Sequence, residues 1–431
     1  MKRDIYKQLV AWKESPLRKP LVLKGARQVG KTYILQDFGK GKYDDVAYFN
    51  FEEDPDLSGF FTGRLAPDKI IQMLSIYREK QILPGKTLII FDEVQNSPET
   101  LTSLKYFCEN APEYHIAAAG SLLGIKVGQS APFPVGKVNF LDLYPMTFAE
   151  FLDAVGKSQL RTFIENTNFQ PIAASFHTEL IDLLKIYYFV GGMPEAVAQY
   201  ATNQNLHVVR RIQEEILEAY AIDFSKYTTK TEAIRLTATW TSIPIQLARE
   251  NKLFTYAEVA KNARAREYTE SIQWLVDAGL VIKVHNTHTP KLPLAAYQEN
   301  KFKLYLLDVG LLGAKINVSQ RTIVLGNSLF SEYNGAFVEN YAAQELVAYG
   351  QKELHYWTSK RQAEVDFVVA LHDHVMPLEV KAGVSRQKKS LRVYDDKYDP
   401  PILSRSTLMN FKEDGKIRNY PLYALWLFLK T

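Results

Sequence analysis

Short, continuous apolar runs separated by stretches of helical period mark the first third of the chain. LVL at 21–23, DVAYFNF at 45–51, the TLIIF that opens 87–95 and HIAAA at 115–119 each have strand length. A run that is apolar at nearly every position, rather than at every second one, predicts a strand covered on both faces. Residues 98–110 read as a helix between two of these runs. Strands alternating with helices in this way predict an α/β domain on a doubly wound parallel sheet.

Beyond residue 152 the pattern changes. The stretch to about 228 reads as helices, with GGMPEAV at 191–197 as a turn and helix start. From about 237 to 284 the period is that of short amphipathic helices, and Tyr268, Ile272, Leu275 and Val276 fall on one face. A turn at Gly279 and the strand LVIKV at 280–284 follow, which is the order of a winged helix-turn-helix. Lys261, Arg264 and Arg266 then stand near the start of the second helix, where a DNA reader carries its cations; spacer and protein-contact uses of such a module stay open. Near the end, FVENYAAQEL at 337–346 predicts a helix, and LHYWTSKRQAEVDFVVAL at 354–371 with VMPLEVKAG at 375–383 predict strands of a hairpin.

The chemistry begins at GARQVGKT, residues Gly25, Ala26, Arg27, Gln28, Val29, Gly30, Lys31 and Thr32, which follows the first apolar run and leads into a helical one. A triphosphate must be held without bulky side chains in the way. Gly25 and Gly30 let backbone N–H groups point at the phosphates, and the positive end of the following helix adds to them. Lys31 can then reach the β- and γ-phosphates, and the Thr32 hydroxyl can ligate Mg²⁺. The run at 87–95 ends in Asp92 and Glu93. At the carboxyl end of a buried strand, Asp92 is placed to hold Mg²⁺ through water and Glu93 to polarise the attacking water. Ser121, after the fourth run, is either a sensor beside the γ-phosphate or a turn residue. Lys137, Arg210 and Arg211 are the cations that could touch a phosphate of this or a neighbouring subunit, but none is specific and surface solvation is the better reading of each.

A second centre is spelled out near the carboxyl end. Asp366, then Glu379, Val380 and Lys381, follow the pattern of a PD-(D/E)xK nuclease core. Side chains alternate across a strand, so Glu379 and Lys381 share a face towards Asp366 on the neighbouring strand. Asp366 and Glu379 could hold Mg²⁺ or Mn²⁺, Lys381 could orient or help deprotonate a water, and Glu339 from the preceding helix could complete the shell. A buried polar cluster without cleavage activity would use the same residues. The basic SRQKKSLR at 385–392 follows, and from 381 to 431 eleven Lys and Arg face five Asp and Glu, an excess of six positive charges. Such an excess attracts a polyanion such as DNA, or is a solvated basic face.

Composition narrows the class. The 431 residues exceed one small core and suggest about three domains, while 46% hydrophobic and 12% aromatic residues predict ordered globular structure. No apolar run approaches the about 18 residues of a membrane span, and MKRDIYKQLV lacks the apolar core of a signal peptide. Cys108 is the single cysteine, so neither an intrachain disulfide nor a cysteine-based zinc cluster can form, and the expected compartment is the cytosol.

GARQVGKT, LIIFDEVQ, the GSLL after the fourth run, YPMTFAEFL, GGMPEAV, DVGLL, FVEN, EVDF and LEVK together resemble bacterial and archaeal ATP-binding proteins that join an AAA-type P-loop ATPase to a carboxy-terminal domain with a restriction-endonuclease-like fold. Gly136 and Lys137 stand where such proteins often carry Gly-Arg, a departure at the position of an arginine finger. The resemblance implies an α/β ATPase core at 1–152, a helical lid at 153–228, a winged-helix-like segment at 229–315 and the α/β nuclease-like domain at 316–431. The expected activity is Mg²⁺-dependent ATP hydrolysis coupled to a nucleic-acid-binding domain, with cleavage left open. ATP and DNA or another nucleic acid are the expected partners, without a membrane; self-assembly is left open. The rival class is a nucleotide-gated switch or scaffold whose carboxy-terminal fold serves partner contact.

Overall fold

In a computed structural model, residues 1–63, 65–121, 134–319, 335–359, 363–383 and 389–430 are described. They form two compact units: residues 2–144 with 277–279, and residues 145–276 with 280–431. The chain thus divides into two units where the sequence suggested four segments.

The first unit is built on five strands: β1 Leu21–Lys24, β2 Asp45–Asn50, β3 Thr87–Asp92, β4 His115–Ala119 and β5 Asn139–Asp142. They run in the order β2-β3-β4-β1-β5, every pair parallel. β3 is buried at all six positions, which is why its sequence is apolar from Leu88 to Phe91. Helices Lys31–Lys42, Pro67–Tyr77 and Pro98–Asn110 provide crossovers, and the last two start on proline, whose fixed φ and missing N–H suit a first helical position. Phe91 anchors the core, with its ring edge-on to Phe61 at 5.5 Å and to Phe51 at 5.9 Å. The consequence for function lies in the strand order. β4 separates β1 from β3, so its carboxyl end, where Ser121 follows, lies between the loop after β1 and the acidic pair after β3.

The second unit combines helices from Phe148 onward with an eight-stranded mixed sheet. Its strands are β6 Val281–Thr287, β7 Gln298–Leu306, β8 Leu354–Thr358, β9 Glu364–Leu371, β10 His374–Val380, β11 Leu403–Thr407, β12 Lys412–Asp414 and β13 Ile417–Pro421. Their order is β12-β13-β11-β10-β9-β8-β6-β7. Two expectations change here. The strand read as part of the wing of a separate module, β6, forms a hairpin with β7 and pairs onward: β6 runs parallel to β8 from Val284↔Leu354 to Thr287↔Trp357. Its backbone groups find partners in a strand about 70 residues away, so the hairpin is the margin of the large sheet. The run 354–371 is two antiparallel strands, β8 and β9, and β9 forms the expected hairpin with β10.

The helix Ala336–Ala348 is buried along almost its whole length, so its polar side chains must find internal partners. Asn340 accepts from the Leu306 N–H at 2.8 Å and donates to the Leu306 carbonyl at 3.0 Å. Gln344 accepts from the Val309 N–H at 2.9 Å and donates to the Tyr187 hydroxyl at 2.7 Å. Glu345 accepts from the Phe148 N–H at 2.9 Å, at the head of helix Phe148–Ala154, which a Thr147/Glu150 capping box begins. Asp308 accepts from the N–H groups of Gly192 at 2.6 Å and Leu311 at 2.9 Å. Gly191 has φ +71°, and a Cβ there would meet Asp308 Oδ1 at 2.2 Å, so only glycine fits beside the carboxylate. YPMTF, GGMPEAV, DVGLL and the helix at 336–348 therefore meet in one buried polar node.

Candidate functional site

The loop after β1 has the backbone that phosphate binding requires. Gly25 has φ +150° and a Cβ on it would lie 2.2 Å from the Leu143 carbonyl oxygen. Gln28 and Gly30 also have positive φ, and Gly30 leads directly into the helix Lys31–Lys42. Val29 is fully buried, and Arg3 holds its carbonyl at 3.1 Å and that of Tyr144 at 2.6 Å. Arg27 is half-buried and Gln28 exposed.

Lys31 is buried, and its Nζ donates to the carbonyls of Gly25 at 3.0 Å and Ala26 at 2.8 Å. Burial lowers its pKa to about 8, although Glu93 and Asp92 favour the charged form. The Thr32 hydroxyl donates to Asp92 Oδ2 at 2.6 Å, which joins the helix head to the end of β3. Tyr48 on β2 donates to the same oxygen at 2.9 Å, and Asp92 Oδ1 accepts from the Glu93 N–H at 3.0 Å. Glu93 has φ +52°, a left-handed conformation that turns the chain at the strand end, and the Gln95 amide donates to its carboxylate. A hydroxyl and a carboxylate in contact form the hard oxygen donor set that Mg²⁺ takes together with waters, so the residues fit that ion.

Lys31, Thr32, Asp92 and Glu93 are thus brought together as the sequence indicates. Ser121 is buried directly after β4; Leu122 and Leu123 lie outside the described residues. Tyr48 and Arg3 were missed, because a tyrosine within a strand and an arginine ahead of the first helix carry no local signal. The cations considered as fingers have other partners. Lys137 pairs with Glu109 at 2.9 Å, Arg211 with Glu215 at 3.7 Å, and Arg210 lies 4.3 Å over the Phe189 ring and donates to the Val318 carbonyl at 3.1 Å.

The second centre lies in the eight-stranded sheet. Lys381, one residue past β10, has its Nζ 3.6 Å from Asp366 Oδ2 and 3.7 Å from Glu379 Oε1, as the strand alternation predicts. Asp366 also accepts from the Val380 N–H at 2.7 Å. Glu339 has different company. It accepts from Lys252 at 2.8 Å, Lys303 at 3.3 Å and the Tyr305 hydroxyl at 2.7 Å. Burial opposes its ionisation, yet Lys303, Lys252 and these hydrogen bonds hold its pKa down at about 2. Burial raises the pKa of Asp366 and of Glu379, against the pull of Lys381.

Asp366, Glu379 and Glu339, the expected metal shell, share one charged centre, in which Glu339 acts on both Asp366 and Lys381. Among the described residues no group of three or more His, Cys, Asp or Glu stands where it could hold a metal ion. Both Glu339 oxygens are taken by ammonium groups, Oε1 by Lys252 and Oε2 by Lys303. Lys303 and Tyr305 share a face of β7, two residues apart, and a lysine inside the apolar KFKLYLL was the signal that could have revealed them. Of SRQKKSLR, residues 385–388 lie outside the described residues, and Lys389 opens the helix Lys389–Tyr398.

A family model described as an AAA domain matches residues 17–152, which span the loop, the acidic pair and all five parallel strands. Residues 17–152 are an AAA-type P-loop domain. Two further models match, each a domain of unknown function: DUF8612 over residues 181–322 and DUF4143 over residues 334–425. Comparison with curated proteins gives no match. Among solved structures, the chain is similar to the Walker-type ATPase PABY2304 of Pyrococcus abyssi, at 12% identity and a TM-score of 0.44 over 73% of this chain and 95% of that one. It is also similar to the Aeropyrum pernix ORC1 protein in complex with DNA (13% identity, TM-score 0.31, 74% and 93% covered) and to AMPPCP-bound DnaA from Aquifex aeolicus (15%, 0.29, 63% and 85%). Among the described residues no helix is long and apolar enough to cross a membrane.

Proposed function

We propose that the chain is a Mg²⁺-dependent ATPase whose nucleotide cycle is coupled to nucleic-acid contact by its second unit. The observation that carries the ATPase reading is the 2.6 Å hydrogen bond from Thr32 to Asp92, with the Lys31 ammonium held at the same loop. Backbone N–H groups of residues 25–32 bind the phosphates, and Lys31 exchanges the carbonyls of Gly25 and Ala26 for phosphate oxygens. Thr32 and Asp92 would hold Mg²⁺, which neutralises charge on the β- and γ-phosphates. Glu93 accepts a hydrogen bond from the attacking water and orients it. Ser121, after the strand between β1 and β3, senses the γ-phosphate.

Two features support nucleic acid as the partner. Residues 381–431 carry the excess of six positive charges. Lys261, Arg264 and Arg266 are exposed around the start of helix Ala265–Asp277, where the helix dipole disfavours cations, so an external anion compensates them better than the helix itself does. The test is ATP turnover by the full chain with and without duplex DNA, beside a Lys261→Glu/Arg264→Glu/Arg266→Glu variant. Stimulation of several-fold, lost in the variant and at high salt, is the expected outcome. Turnover without DNA affinity would instead favour the nucleotide-gated scaffold.

A further inference from the structure

Glu339, Asp366 and Glu379 follow one another as in a metal-dependent nuclease, yet the groups facing them are cations. Lys252 Nζ lies 2.8 Å from one oxygen of Glu339, while Lys303 Nζ at 3.3 Å and the Tyr305 hydroxyl at 2.7 Å take the other. Lys303 also pairs with Glu364 at 2.7 Å. Lys381 spans Asp366 and Glu379, and Arg405 Nε lies 3.5 Å from the second oxygen of Glu379. The carboxylates of Glu339, Glu364, Asp366 and Glu379 thus face Lys252, Lys303, Lys381 and Arg405, so the formal charge of the centre is zero.

We infer that Lys252 and Lys303 are the built-in counter-ions of this centre, standing in for a divalent metal, so that the centre takes no metal and the domain does not cut by metal-activated water. The Lys252 and Lys303 side chains are only 8% and 3% exposed, so neither ammonium can turn to bulk water when a second cation arrives. A divalent ion would have to displace a buried ammonium from Glu339 or enter a centre already neutral, and either leaves positive charge uncompensated in a low-dielectric interior. An ammonium cannot take the ion's chemical part, since it has no vacant coordination site at which to bind and acidify a water. Both lysines come from outside the stretch 334–425 that carries the acidic residues: Lys303 from β7 and Lys252 from the loop after helix Lys230–Leu247. The joining of β6 to β8 places β7 on the sheet that carries Asp366 and Glu379, so the feature that absorbs the expected wing also delivers Lys303. This inference is separate from the ATPase reading, and its test uses no nucleotide.

The experiment is Mn²⁺ binding to the full chain, followed by electron paramagnetic resonance, for the wild type, Asp366→Asn, Lys252→Met/Lys303→Met and the three changes combined. Wild type and Asp366→Asn are expected to bind the same number of ions. The double lysine variant is expected to gain one Mn²⁺ per chain, lost again in the triple variant. One more Mn²⁺ bound by the wild type than by Asp366→Asn overturns the inference, as does a folded double variant that gains none. Should the double variant fail to fold, wild type against Asp366→Asn decides alone.

Discussion

Lys31 is held by the carbonyls of Gly25 and Ala26 at the cost of water, and burial brings its pKa to about 8. Bound phosphates favour the protonated form, so binding ATP above pH 8 requires proton uptake. Affinity therefore stays level below pH 8 and weakens by up to about tenfold per pH unit above it. Calorimetric titration of ATP from pH 7 to 9.5 should show this bend in the wild type and none in Lys31→Arg; a level profile in both contradicts the assigned contact. At this scale the P-loop was legible because phosphate chemistry is local: eight consecutive residues supply loop, charge and hydroxyl. Tyr48, Lys252 and Lys303 were not, because Tyr48 meets Asp92 from 44 positions away and Lys252 meets Glu339 from 87.

Between elements, the buried node around Asp308 ties helices at 148–154 and 336–348 to the turn at 191–192. Burial raises the Asp308 pKa to about 6, against the hydrogen bonds from Gly192, Leu311, Gly310 and Gln344 that favour the carboxylate. A group whose folded pKa lies above its unfolded value of about 3.9 stabilises the fold most at low pH, and that contribution is lost as pH rises from about 4 to 6. The shift corresponds to about 3 kcal/mol. Chemical denaturation at pH 4.5 and 7 should therefore show a larger fall in stability for the wild type than for Asp308→Asn, while equal falls refute a raised Asp308. The sequence revealed β1 to β4, since a covered strand such as β3 is apolar along its middle, from Leu88 to Phe91, but not β5, β7 or β11 to β13. It did not reveal what β6 pairs with. Periodicity reports which face of a hairpin is buried, and a hairpin under a large sheet has the same period as a wing.

Across the whole molecule, the division into two units separates two kinds of legibility. The first unit was readable because an AAA-type P-loop domain repeats a strand, loop and helix order that a single motif locates. The second was readable in its acidic residues and not in their counter-ions, which come from another stretch of chain. Charge distribution adds a consequence at this scale: an excess of six positive charges at 381–431 within a chain of net +4 leaves the remainder slightly acidic, so any affinity for nucleic acid belongs to particular faces and weakens with salt. The central claim is ATP hydrolysis at the loop after β1. Its most direct test is steady-state ATP turnover of the full chain with Mg²⁺, beside Lys31→Ala and Glu93→Gln, with ATP binding measured in parallel. The account predicts no detectable turnover in Lys31→Ala, turnover about 10²- to 10³-fold lower in Glu93→Gln with ATP still bound, and thermal unfolding of both within a few degrees of the wild type. Undiminished turnover in both variants would contradict it.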